Sequence, residues 1–217
     1  MKKLPGMVVR ALEVGPFMSN CYIVGSEKTK EGMVVDPGAD GGDILAHIKE
    51  LGLKIKYLVA THGHIDHISA VKEVKDATGA EFVVHQEEAK GLHSGNYLSA
   101  VFGISFPSPP PPDRLVQGGD SLEVGDLKFL VLHTPGHSFG GICLSGPGVL
   151  FSGDTLFNQG IGRFDFPGGD YKVLLNSIHT KLLVLPDETI VYPGHGPETT
   201  IGFEKKYNPF LREQLPY

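Results

Sequence analysis

The stretch THGHIDH, residues 61–67, holds three imidazoles and a carboxylate between His62 and His67. Groups of this kind lose hydration when gathered away from water, and they gain little from one another unless a positive charge sits among them. The run is therefore either a solvated histidine-rich loop or the opening of a metal site. In the second case the fold has to carry further donors to it from elsewhere in the chain.

Such donors exist. His137 lies in HTPGHS after the apolar run LKFLVLH, Asp154 follows GVLFSG, and His195 follows ETIVYPG. Each is a ligand-capable residue beside glycine at the end of an apolar strand, where backbone can approach closely and the side chain can enter a shared cleft. With His62, His64, Asp66 and His67 they make five imidazoles and two carboxylates. A catalytic zinc takes about three protein ligands, so seven donors suit two ions with three terminal ligands each and one bridging carboxylate. The expected cofactors are two divalent metal ions, zinc first, with iron or manganese as alternatives for the same donor types. With two aspartates and a bridging hydroxide, the pair of ions keeps a charge of about +1, enough to draw an anionic substrate.

The apolar pattern says what carries these residues. MVVRALEV (7–14), CYIVG (21–25), MVVD (33–36), KYLVATH (56–62) and EFVVH (81–85) read as strands. So do SLEVG (121–125), LKFLVLHT (127–134), GICLSG (141–146), GVLFSG (148–153) and ETIVYPGH (188–195). DILAHIKELG (43–52), with Asp43 as its N-cap, AVKEVKDATG (70–79) and DYKVLLNSIHTKLL (170–183) have helical spacing. An order recurs: strand–Asp36, GGD and helix, strand–His62; then strand–Asp154, GGD and helix, strand–His195. A duplicated unit of this kind brings strand-end loops to one edge of a layered α/β structure, where ligands gather.

The 217 residues are expected to form one domain, with halves of about 1–106 and 115–217 joined by a proline-rich connector, 107–114. Residues 90–103 suggest a short helix. A net charge of -6 without a basic run argues against nucleic acid. Two cysteines, Cys21 and Cys143, lie in apolar stretches and read as buried thiols. With no signal-like or membrane-length apolar run, the expectation is a cytoplasmic protein with no membrane partner, as monomer or homodimer.

THGHIDH followed by His137, Asp154 and His195 resembles the metallo-β-lactamase superfamily, whose hallmark is T-H-x-H-x-D-H. Within it, GDTLFNQGIGRFDFPGGD (153–170) and PGHGPET (193–199) are similar to the glyoxalase II-type hydroxyacylglutathione hydrolases. The resemblance spans about residues 20–200. It implies a four-layered αβ/βα sandwich of two similar halves, with His62, His64 and His137 on one ion, Asp66, His67 and His195 on the other, and Asp154 bridging. It implies hydrolysis of a small-molecule thioester by a metal-bridging hydroxide, with Asp66 as the catalytic group that orients it. The longer family members carry a C-terminal helical region with basic residues for glutathione, which this sequence lacks. The family's lysine and tyrosine contacts are matched here by Arg163, a candidate substrate contact, and Asp165. The thiol half of the substrate therefore stays open between glutathione and a smaller thiol. Alternatives on the same scaffold are a single-iron persulfide dioxygenase, a lactonase and a non-catalytic metal-binding scaffold.

Other residues carry plainer expectations. Asp36 is either a turn former in Asp-Pro-Gly or a group that orients a ligand histidine. His133 reads as a packed core histidine; His47, His85, His93 and His179 read as surface or helix-face residues. Tyr97 and residues 91–104 are candidate pocket walls, and EKKYNPF (204–210) a docked C-terminal segment.

Overall fold

In the strands of the first half, successive apolar side chains leave opposite faces of the backbone, and both faces are buried. Cys21, Ile23 and Val34 point one way; Tyr22, Val24, Met33 and Val35 point the other. A strand buried on both sides needs a layer on each, and the fold follows from that demand. The computed structural model describes residue 4, residues 6–92 and residues 108–212.

Among the described residues there are two six-stranded sheets and a small hairpin. The first sheet runs in the order β1 (Met7–Val14), β2 (Ser19–Ser26), β3 (Glu31–Val35), β4 (Lys54–Val59), β5 (Glu81–His85) and β6 (Arg114–Val116). The second contains β7 (Ser121–Val124), β8 (Leu127–His133), β9 (Ile142–Gly146), β10 (Val149–Gly153), β13 (Ile190–Pro193) and β14 (Thr199–Thr200). Its order is β14-β13-β10-β9-β8-β7, and β11 (Leu156–Phe157) with β12 (Gly160–Ile161) forms the hairpin. Tyr22, Met33 and Val83 of the first sheet meet Phe129, Leu144 and Phe151 of the second in a shared core.

Helices cover the two outer faces. On the first sheet, Ile44 and Ile48 of α1 (Gly41–Leu51) and Val71 and Val74 of α3 (Val71–Thr78) pack against Ile23, Val34, Leu58 and Phe82. On the second, Leu174 and Leu175 of α5 (Tyr171–Ser177), Ile178 and Leu182 of the wider π-type turn after it, and Ile201 of α6 (Ile201–Tyr207) cover Cys143, Leu150 and Val191. The result is the expected four-layered αβ/βα sandwich.

The repeat is visible as geometry. β3 and β4 are parallel and joined through α1; β10 and β13 are parallel and joined through α5. Both crossovers deliver their strand ends to the same edge. Three local expectations need correction. Asp43 lies inside the first turn of α1; the cap position is Asp40, in a left-handed conformation, with its carboxylate accepting from Gly15 N at 2.8 Å instead of from the helix. The long helix expected over 170–183 ends at Ser177 and continues as the π-type turn Ile178–Leu182. β6, at the expected boundary of the second half, pairs with β5 in the first sheet.

His93, Tyr97 and the remainder of the expected helix and pocket wall lie outside the described residues. The C-terminal segment docks as expected, as α6 and α7 (Pro209–Arg212). No described helix is long and apolar enough to cross a membrane.

Candidate metal centre

Every expected donor sits at the edge where the two crossovers end. His62 follows β4; His64 holds the extended backbone ahead of α2 (Ile65–Ile68), a single turn that carries Asp66 and His67. His137 lies in the loop after β8, Asp154 directly after β10, and His195 one residue beyond Gly194 at the end of β13. Gly194 is required for space: a Cβ there would stand 2.1 Å from Asp154 Oδ1 and 2.9 Å from His67 Cε1. The first sheet holds this second-half loop in place. Asn20 Nδ2 donates to Pro193 O at 2.9 Å and Gly196 O at 2.8 Å, and Tyr22 Oη donates to Pro193 O at 2.6 Å.

The seven side chains converge. His62, His64 and His137 form one trio whose donor atoms lie within 4.8 Å of one another; Asp66, His67 and His195 form a second, and His62, His67 and Asp154 a third between them. His137 Nε2 is 3.0 Å from His64 Nδ1. His195 Nε2 is 3.2 Å from Asp66 Oδ2, and His67 Nε2 is 3.4 Å from the same oxygen. Asp154 lies at the centre, 3.5 Å from His67 Nε2, 3.6 Å from His137 Nε2 and 3.7 Å from His195 Nε2.

Backbone and carboxylate partners aim the rings. His137 Nδ1 bonds Arg163 O at 2.6 Å, which turns Nε2 inward. His67 Nδ1 lies 3.0 Å from Asp36 Oδ2, which turns its Nε2 toward Asp66 and Asp154. Asp36 is itself fixed, accepting from Thr61 N and Thr61 Oγ1, each at 2.7 Å. Of its two expected roles the structure favours the second: a buried carboxylate behind a ligand-capable histidine sets the tautomer and orientation of that ring.

Burial and the neighbouring charges shift the clustered histidines in opposite directions. Burial, and then the neighbouring His67, His64 and His137, push the His62 imidazole well below its ordinary range. Burial and then His137 bring His64 down to about 3. His67 goes the other way: burial opposes its charge, but Asp154, Asp66 and Asp36 outweigh it. Burial also opposes the charge on His195, and its bond to Asp66 with the nearby Asp154 prevails. His62 Nε2, His67 Nε2 and Asp154 Oδ1 are buried without a hydrogen-bond partner. Each such atom costs about 1–3 kcal/mol, and all three belong to the central trio. Divalent cations would satisfy them, and the imidazole–carboxylate set fits zinc, iron or manganese.

Other residues lie outside the donor set. The Arg163 side chain is exposed and held by Asp165, with Nε–Oδ1 at 2.9 Å and Nη2–Oδ2 at 2.7 Å. It stacks 4.0 Å from the Phe166 ring centre. Its contact with the centre is its backbone carbonyl on His137, while the guanidinium is paired with Asp165 at the surface. His85, expected at the surface, is 2% exposed and stacked on His133 at 4.1 Å between ring centres. Sequence reasoning passed over Asn20 and Glu88 altogether; neither stands in a local motif that would mark it.

The family model described as the metallo-beta-lactamase superfamily matches residues 14–195. The chain is 40% identical over 212 residues to a Haemophilus influenzae protein named hydroxyacylglutathione hydrolase GloC, covering 96% of this chain and 100% of that one. Its structure is similar to that of BLEG-1 B3 metallo-β-lactamase, with TM-score 0.89 and 40% identity, covering 95% of this chain and 100% of the other. It is also similar to TTHA1623 in a di-iron-bound form, with TM-score 0.86 and 36% identity over 94% of this chain and 100% of the other.

Proposed function

The chain belongs to the metallo-β-lactamase superfamily, and from that premise we propose that it is a metal-dependent hydrolase of thioesters, of the hydroxyacyl-glutathione kind or of a smaller thiol. The observation that carries the reading is the convergence of seven donors into overlapping trios, with donor atoms within 4.8 Å in each. His62, His64 and His137 would hold one divalent ion and Asp66, His67 and His195 the other; Asp154, within 3.7 Å of histidines from both sets, would bridge. A di-iron form of one similar structure supports the count. When bound, such a pair supplies hydroxide at neutral pH and a Lewis acid for the acyl oxygen.

The protein's own groups do the rest. Burial alone would raise the Asp66 carboxyl, but the neighbouring His67 and His195 hold it far below the usual range. Asp66 therefore stays ionised and acts as an acceptor that orients the attacking water. The Phe166 ring lies 5.7 Å from that of His64 and the Phe157 ring 6.2 Å from that of His195, centre to centre, each near perpendicular. A thiol with a pKa of about 8.5 leaves as thiolate without a strong general acid. The thioester half of the reading rests on the 153–170 and 193–199 stretches and on similarity to the protein named hydroxyacylglutathione hydrolase. That relative is matched over 100% of its own length, so a chain of this size is compatible with the activity its name states.

The test uses metal-replete protein with S-lactoylglutathione, beside a lactone, a β-lactam and glutathione persulfide with an oxygen electrode. Thioester turnover that disappears in Asp154→Ala is expected. A wild type that holds two ions and leaves the thioester untouched rejects this substrate class.

A further inference from the structure

Glu88 lies on α4 (Gln86–Ala89), a single turn after β5, and is only 9% exposed. Its Oε2 accepts from Gly63 N at 2.9 Å, and its Oε1 accepts from Gly140 N at 2.7 Å. Gly63 separates His62 from His64, and Gly140 lies in the loop that carries His137. One carboxylate therefore ties together the two loops that present the first trio. The glycines make room for it: a Cβ on Gly63 would stand 2.8 Å from Oε2, and one on Gly140 2.6 Å from Glu88 N. Taking a carboxylate out of water is costly unless charge-assisted bonds replace its hydration, and the two loop N–H groups do so. The second trio has separate anchors: Asp36 on His67, Ser19 Oγ on Asp66 O at 2.6 Å, and Asn20 on the His195 loop.

We infer that Glu88 is a positioning residue for the ion held by His62, His64 and His137, setting the spacing of the two loops without touching the ion. The inference rests on the metal reading above. It predicts a selective effect, since the second trio is anchored without Glu88.

Glu88→Gln keeps the shape but turns one acceptor into a donor that faces a glycine N–H. The metal-free wild type and variant are titrated with Co(II), followed by visible absorption and by the paramagnetically shifted Nδ1–H signals of His137 and His67. Far-UV circular dichroism of the metal-free proteins runs alongside. The wild type is expected to take two equivalents. The variant keeps one with wild-type affinity and the His67 signal, and binds the other on the order of 10–100-fold more weakly, with the His137 signal lost and the circular dichroism unchanged. Glu87→Gln, on the same turn but bonded outward to Lys90, changes neither.

Two tight equivalents in Glu88→Gln, or equal weakening of both, overturn the inference alone. A wild type that takes up no cobalt overturns the metal reading, and the inference with it. If Glu88→Gln does not fold, amide hydrogen exchange in the wild type decides. The Gly63 and Gly140 amides should gain protection together as the first-trio ion loads, and a gain at only one of them defeats the tie.

Discussion

Replacing Asp36 with asparagine removes a charge from behind His67 while leaving the backbone undisturbed. Asp36 has a φ of 53°, a left-handed conformation that asparagine adopts readily. Thr61 N can only donate, so the asparagine carbonyl must take the place of Oδ1, 2.7 Å away. The amide nitrogen then stands where Oδ2 stood, 2.7 Å from Thr61 Oγ1 and 3.0 Å from His67 Nδ1. The threonine hydroxyl can turn to accept. His67 can accept only by moving its proton to Nε2, the atom 3.4 Å from Asp66 Oδ2 and 3.5 Å from Asp154 Oδ1. A protonated Nε2 cannot ligate, and restoring the ligating tautomer sets two buried donors against each other. The loss is that of a hydrogen bond to a charged group, about 1.5–3 kcal/mol, or roughly 10- to 150-fold in affinity for the ion held by Asp66, His67 and His195. Competition for Zn(II) against a chromogenic chelator measures it, and imidazole nitrogen NMR reports the tautomer. Affinity within about twofold of wild type, with the His67 proton still on Nδ1, would refute the reasoning.

Three further outcomes are expected. Gly194→Ala drives a methyl group to within 2.1 Å of Asp154 Oδ1, so metal content and hydrolysis should fall together while circular dichroism stays native; full metal loading would contradict this. Glu204 is fully buried and accepts from Thr199 Oγ1 at 2.6 Å, Asn208 Nδ2 at 2.8 Å and Gln159 N at 2.9 Å. Glu204→Ala strands these donors and should cost about 3 kcal/mol, a fall in Tm of roughly 6–12 °C. Glu204→Gln can still accept from Gln159 and Asn208 while donating to Thr199, and should cost about 1 kcal/mol; calorimetry separates the two. Burial raises the Cys21 thiol well above its ordinary range and brings Cys143 up to about 11. The reactive thiolate appears only as pH rises toward those values, so at pH 8 only about a thousandth of Cys143 is thiolate. Iodoacetamide should leave both thiols unmodified in the native protein and label both in denaturant, as mass spectrometry would read out.

Some of this protein is written locally. Strands apolar on both faces demand two covering layers, and the repeated strand–Asp, helix, strand–His order places their ends at one edge, whatever the details of packing. Donors beside glycine at those ends are conspicuous for the same reason, and all seven arrive together. Tertiary structure decided what a local pattern cannot encode. Asp36 and Asp154 follow their strands alike, yet packing turns one carboxylate behind His67 and the other into the cleft. The Arg163 guanidinium pairs with Asp165 at the surface, while its carbonyl, invisible to any motif, aims His137. Asn20 reaches the His195 loop and Glu88 spans two ligand loops through hydrogen bonds between residues distant in the chain. Periodicity records which side of an element is buried. Which partner waits there depends on how separate elements pack, and only the folded chain specifies that.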